Sequence, residues 1–245
     1  PTTAPEEIRT MLEAINGLFQ RVATTLDAER RFTADAAHEL RTPLAALQAQ
    51  LQVALRARDD DERERSLTQL QYGLTRASHL VDQMLQLARL DPESSLPDSQ
   101  SVDLTTLAEE VCAELGAAIL DKNIDFDLQA GASCTINGQP EWLRVLIRNL
   151  VDNAIRYTPS GGKIVVSLST EQKGCRLTVC DNGPGIPAEE RAAVLRRFHR
   201  LNHQDQPGSG LGLSIVSRIA ELHGAQIALG DGDAATGLSV SVTFG

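Results

Sequence analysis

The sequence predicts an α+β chain in two parts: a helical hairpin that a second copy completes into a four-helix bundle, then an α/β sandwich. Three observations carry this. Ala and Leu dominate the first hundred residues and recur at helical spacing, while aromatics are only 3% of the 245 residues. A polar Ser/Pro stretch, Pro92 to Ser101, then interrupts the pattern. Beyond it, short alternating segments interleave with amphipathic ones, the texture of a sheet covered on one face by helices. The expected divisions are 1–27 (coiled-coil or linker helix), 28–92 (hairpin), 93–101 (linker) and 102–245 (sandwich).

The first helix starts near Pro5, with Glu6 and Glu7 in its first turn. Ile8, Leu12, Ile15, Leu18, Val22 and Leu26 form a narrow stripe that suits a coiled coil, with a solvated linker helix as the alternative. Phe32, Ala36, Leu40, Leu44 and Leu47 continue the apolar spacing and leave His38 facing solvent. Pro43 removes a backbone donor and is expected to bend the helix. Asp59-Asp60-Asp61 marks the turn into a second helix carrying Leu67, Leu70, Leu74, Ala77, Leu80, Met84 and Ala88. Two such stripes exceed what one hairpin can bury, so a homodimer is expected. In the second part, strands are expected at 102–104, 124–128, 163–170, 175–180, 226–229 and 238–244. Helices are expected at 107–120, 140–157 and 211–223.

A net charge of −10 disfavours nucleic-acid binding, since the phosphate backbone would be repelled. The four cysteines, Cys112, Cys134, Cys175 and Cys180, lack metal-ligand spacing and are expected to be reduced, semi-buried hydrophobes. No run of about 18 apolar residues is present. The chain opens abruptly within a helical pattern, so a longer protein is expected. His38-Glu39 does not begin a zinc protease motif, because the position one turn on is Thr42.

Three clusters in the second part can act together. Asn149, Asn153, Arg156 and Tyr157 lie at i, i+4, i+7 and i+8, sharing a helix face suited to hydrated Mg²⁺ and phosphate oxygens, or simply to polar neighbours. Asp181-Asn182-Gly183-Pro184-Gly185-Ile186 follows a strand; an aspartate in a concavity there accepts a hydrogen bond, although an Asn-Gly turn also explains the glycines. Gly208-Ser209-Gly210-Leu211-Gly212-Leu213 enters a helix whose free amides attract anions. It is neither a Walker loop nor a dinucleotide fingerprint. The intervening residues, including Arg196-Arg197-Phe198-His199-Arg200, read as a basic lid over polyphosphate.

These clusters, in this order behind His38-Glu39-Leu40-Arg41-Thr42-Pro43, resemble the H, N, G1, F and G2 motifs of bacterial sensor histidine kinases, with particular likeness to the QseC type. The likeness covers nearly the whole chain. It implies a helical-hairpin dimerisation domain followed by an ATP-binding domain of the GHKL type. It further implies ATP and Mg²⁺ as cofactors and His38 as the phosphoryl acceptor, with Glu39 handling its proton and Thr42 serving dephosphorylation of a partner. Asn153 matches the Mg²⁺ ligand and Asn149 its helper. Arg156 meets phosphate, and Tyr157 packs near the nucleoside. Asp181 reads the adenine amino group, with Gly183, Gly185 and Ile186 beside it. Phe198, Gly208, Gly210, Leu211, Gly212 and Leu213 belong to the lid and phosphate turn. The implied partners are a second copy and a response-regulator receiver domain, with residues 1 to about 26 leading from an upstream membrane-spanning sensor region. His79, His199, His203 and His223 match no reactive position and read as structural or surface. Asn149 stands where hydrolytic relatives of this fold carry a glutamate base, which favours transfer over hydrolysis. A hydrolytic ATPase and a non-catalytic scaffold are the alternatives.

Overall fold

The computed structural model describes residues 6–90, 99–131, 133–171, 174–201, 209–232 and 236–245. Contacts divide the chain into two compact units, Pro1–Val81 and Asp82–Gly245. The expected helix start at Pro5, most of the linker and Gly208 lie outside the described residues.

In the first unit, α1 (Glu6–Arg56) runs as a single helix through Pro43. Helix α2 (Asp60–Arg89) begins at the acidic run and places Asp60, Asp61 and Glu62 in its first turn, where they complement the helix dipole. Asp59 Oδ1 accepts from Glu62 N (2.7 Å), and Glu62 Oε2 accepts from Arg58 N (2.9 Å), a reciprocal cap that closes the hairpin turn. Phe32, Ala36, Leu40 and Leu47 are half-buried along one face of α1, as their spacing requires. The helices approach so closely at Gly73 that a Cβ there would lie 2.9 Å from Leu47 Cδ2.

The second unit begins with the last turns of α2. Strand β1 (Gln100–Asp103) leads into α3 (Leu104–Glu114), capped by Asp103, whose side chain accepts from Thr105 N. The single helix expected over 107–120 is two, because α4 (Gly116–Asp121) restarts at a glycine of low helix propensity. Then come β2 (Asp125–Ala130), β3 (Thr135–Gly138), α5 (Pro140–Tyr157), β4 (Lys163–Glu171), β5 (Gly174–Asp181), α6 (Gly212–Leu222), β6 (Gln226–Asp231) and β7 (Leu238–Phe244). Strand order is β2-β4-β5-β7-β6, with β2 and β4 parallel and the other pairs antiparallel. Four-residue β3, too short to stand out in the sequence, pairs with β1 in a separate two-stranded ribbon.

Leu143, Leu146, Ile147, Leu150 and Val151 of α5 meet Ile164, Val166, Leu177 and Val242 of the sheet in a fully buried core with Ile215 and Ile219 of α6. The Lys122 ammonium donates to the carbonyls of Ile155, Arg156 and Thr158 at 2.8–3.1 Å, fixing the C-terminal end of α5. One cysteine expectation is overturned: Cys134 and Cys175 form a disulfide, their Cα atoms 5.7 Å apart. The fold places β3 against β5, which the separation of 41 residues conceals. Cys112 and Cys180 take no part in a disulfide, and burial pushes the Cys112 thiol up to about 11.

His223 ties the start of α5 to the end of α6. Its Nδ1 lies 2.8 Å from Ile219 O and its Nε2 accepts from Gln139 N (3.1 Å), so the neutral ring with its proton on Nδ1 satisfies both. Burial holds its pKa below the ordinary histidine value, against the bond to Ile219. The unfolded chain therefore binds a proton near pH 6.5 that the folded ring resists. Stability contributed by this ring is complete above that pH and is lost as pH falls from about 6.5 towards the depressed folded value. Comparing urea midpoints at pH 7.5 and 5.5 should show a larger drop for the wild type than for His223→Gln.

Candidate functional site

In the first unit, His38 and Thr42 are exposed on α1, and Glu39 is half-buried beside the histidine. Leu44, expected on the inward stripe, is instead 54% exposed. It joins Leu51, Leu55, Leu67, Leu74 and Val81 on outward faces at near-heptad spacing.

In the second unit, a cavity of about 1050 Å³, counting its solvent-open mouth, lies between α5, the end of β5 and the turn into α6. Asn153, Arg156 and Tyr157 of α5 line it, as their shared helix face predicts. Asn149 does not line it. That carboxamide is buried; its Nδ2 donates to Val145 O (2.8 Å), and its Oδ1 faces Gln83 Nε2 at 3.4 Å. Among the described residues, the Asn153 carboxamide has no hydrogen-bond partner, so it is available to a ligand.

Asp181 ends β5 at the cavity wall and is 7% exposed. Its Oδ1 accepts from Gly183 N (2.8 Å) and Leu238 N (3.3 Å), which leaves Oδ2 for a ligand. Burial raises its pKa above the ordinary carboxylate value, and those two backbone donors work against the rise. Gly183 carries no side chain because a Cβ would lie 2.8 Å from Tyr157 O, and Gly185, at φ +71°, lines the cavity with Ile186. On the opposite rim stand Gly210, Gly212 and Leu213. A Cβ on Gly212 would sit 3.1 Å from Asn153 Nδ2, so glycine there lets the start of α6 close on the metal-ligand candidate. Leu211 is buried and supports this turn rather than lining the cavity. Phe198 adopts φ +60° and donates its N–H to Gly210 O (3.0 Å), joining the basic segment to the glycine turn.

Several lining residues escaped the sequence analysis. Val179 and Val240 come from neighbouring strands, and only the sheet register shows that they meet. His199, expected in the basic lid but given no reactive role, lines the cavity and bonds Glu190 at 2.9 Å. Gln83, near the end of α2, also lines it, and nothing in the sequence marks it. The donor set fits a purine nucleotide: a buried acceptor at one end, apolar walls, and a carboxamide with a guanidinium near a glycine-rich helix start.

Comparison with known proteins agrees with this geometry. Residues 138–244 match the family "Histidine kinase-, DNA gyrase B-, and HSP90-like ATPase", and residues 28–93 match "His Kinase A (phospho-acceptor) domain". The chain is 44% identical over 239 residues to the sensor protein kinase PmrB of Pseudomonas aeruginosa, covering 97% of this chain and 50% of that protein. It is 46% identical over 229 residues to the sensor protein QseC of Salmonella typhi, covering 93% and 50%. The solved cytoplasmic segment of histidine kinase QseC superposes with a TM-score of 0.50 at 33% identity, covering 69% of this chain and 93% of that one. A phospho-acceptor match on the helical hairpin and an ATPase-type match on the nucleotide domain thus follow one another on a single chain. The chain belongs to the sensor histidine kinase family of two-component systems. It spans about half the length of the curated relatives it matches.

Proposed function

We propose that this chain autophosphorylates His38 from Mg²⁺-bound ATP and passes the phosphoryl group to an aspartate of a response-regulator receiver domain. The observation that carries this is the pairing of a solvent-exposed His38 in the phospho-acceptor match with a nucleotide-shaped cavity built on Asn153 and Asp181. Asp181 Oδ2 accepts from the adenine amino group. Arg156 engages phosphate oxygens, and Asn153 offers its carbonyl oxygen to the metal. Mg²⁺ would supply charge neutralisation on the β- and γ-phosphates. One ring nitrogen of His38 attacks the γ-phosphorus as the bond to the β–γ bridging oxygen breaks and ADP leaves. The proton on the other nitrogen passes towards Glu39. Thr42, one turn on and exposed, orients water when the phosphorylated regulator is dephosphorylated.

A second copy completes the hairpin. The outward stripes through Leu44, Leu51, Leu67 and Leu74 match the inner faces of a four-helix bundle. Among the described residues, no helix is long and apolar enough to cross a membrane. The intact protein reaches the membrane through sequence upstream of residue 1, and the catalytic part acts on the cytoplasmic side.

Incubation with γ-labelled ATP and Mg²⁺ tests the kinase reading. The expected product carries label that is labile in acid and stable in base, and His38→Gln carries none. Undiminished labelling of His38→Gln would refute the assignment.

A further inference from the structure

Gln83 is the one cavity-lining residue contributed by α2, and it engages two groups at the phosphate end of the site. Its Oε1 accepts from Ser209 Oγ at 2.6 Å, and its Nε2 faces Asn149 Oδ1 at 3.4 Å. Two turns later the carbonyl of Leu90 accepts from Arg218 Nε of α6 (3.2 Å). Gln83, Leu87 and Leu90 fall at i, i+4 and i+7, on one face of the chain's helical run, with Leu87 and Leu90 buried. This end of α2 therefore docks on the nucleotide domain, with Gln83 at its polar tip.

The Ser209 hydroxyl has a single proton, donated to Gln83, while its oxygen accepts from Leu211 N (3.2 Å) at the start of α6. The Ser209 hydroxyl and Leu211 N are thus both engaged within the protein. A polyphosphate offers only acceptors, so it can take the Ser209 proton only if Gln83 gives it up. Resting on the ATP-site reading above, we propose that Gln83 is a latch that competes with the polyphosphate of ATP for the Ser209 hydroxyl. Nucleotide occupancy is thereby linked to release of the α2 end.

Calorimetric titration of the whole chain with Mg·ATP and with adenosine tests this. Gln83→Met keeps the volume and removes both hydrogen bonds. The variant should bind Mg·ATP about five-fold more tightly than the wild type, the change expected from one competing hydrogen bond. Adenosine, which has no phosphate, should bind both proteins equally. In a Ser209→Ala background, the Gln83→Met change should no longer affect Mg·ATP affinity. Equal or weaker Mg·ATP binding by Gln83→Met, with adenosine still bound, would overturn the latch alone. If neither ligand bound the wild type, the ATP-site reading itself would fall, and the latch with it.

Discussion

Asp181→Asn should weaken ATP binding by up to about 100-fold while making the second domain more stable at neutral pH. The carboxylate is buried, and its folded pKa lies above the unfolded value. Between about pH 4 and that folded value the native state keeps a proton that the unfolded chain has released, so stability declines as pH rises through this window. Above the folded value the full cost of the buried charge is present, and a neutral isostere removes it. The asparagine carbonyl can still accept from Gly183 N and Leu238 N, so the local fold survives. Its amide then presents donors where adenine also presents donors. One unmet buried polar contact costs about 1–3 kcal/mol, so affinity for Mg·ATP should fall by up to about 100-fold. Nucleotides with a 6-oxo purine should lose much less, because their oxygen accepts from the new amide. Thermal unfolding together with ATP and ITP titrations checks all three expectations.

Gly237→Ala should cost about 3 kcal/mol or more and disable the site together with the fold around it. Gly237 has φ +86°, and a Cβ there would lie 1.8 Å from Asp181 O and 2.6 Å from Asp181 C. Both obstacles are backbone, so no side chain can swing aside. Displacing this segment would also carry Leu238 N away from Asp181. Gly161 is the control: its φ is +75°, but nothing lies within 4 Å of a Cβ. Gly161→Ala should therefore cost only the left-handed backbone penalty, about 1–2 kcal/mol. Denaturant midpoints of the two variants make the comparison.

The sequence revealed what depends on local period. The α5 limits, Pro140 to Tyr157, and those of β7, Leu238 to Phe244, agree with the expectation. Helical spacing correctly grouped Asn153, Arg156 and Tyr157 and kept His38 outward. The helical face predicted Asn149 equally well, but a face does not specify depth. Asn149 lies at the buried edge, satisfied by Val145 O. Partners distant in sequence were invisible. Leu238 N supports Asp181 across 57 residues, Gln83 reaches Ser209 across 126, and Cys134 meets Cys175 only because β3 lies along β5. Nothing in the sequence singles out Gly237, because its obstacle is the backbone of another strand.

Locating the phosphoryl group after reaction with Mg·ATP is the most direct measurement. Phosphorus NMR and peptide mapping at neutral to mildly basic pH should find a phosphoramidate on His38. Phosphate on His79, His199, His203 or His223, or on any hydroxyl, with His38 unmodified, would contradict the account.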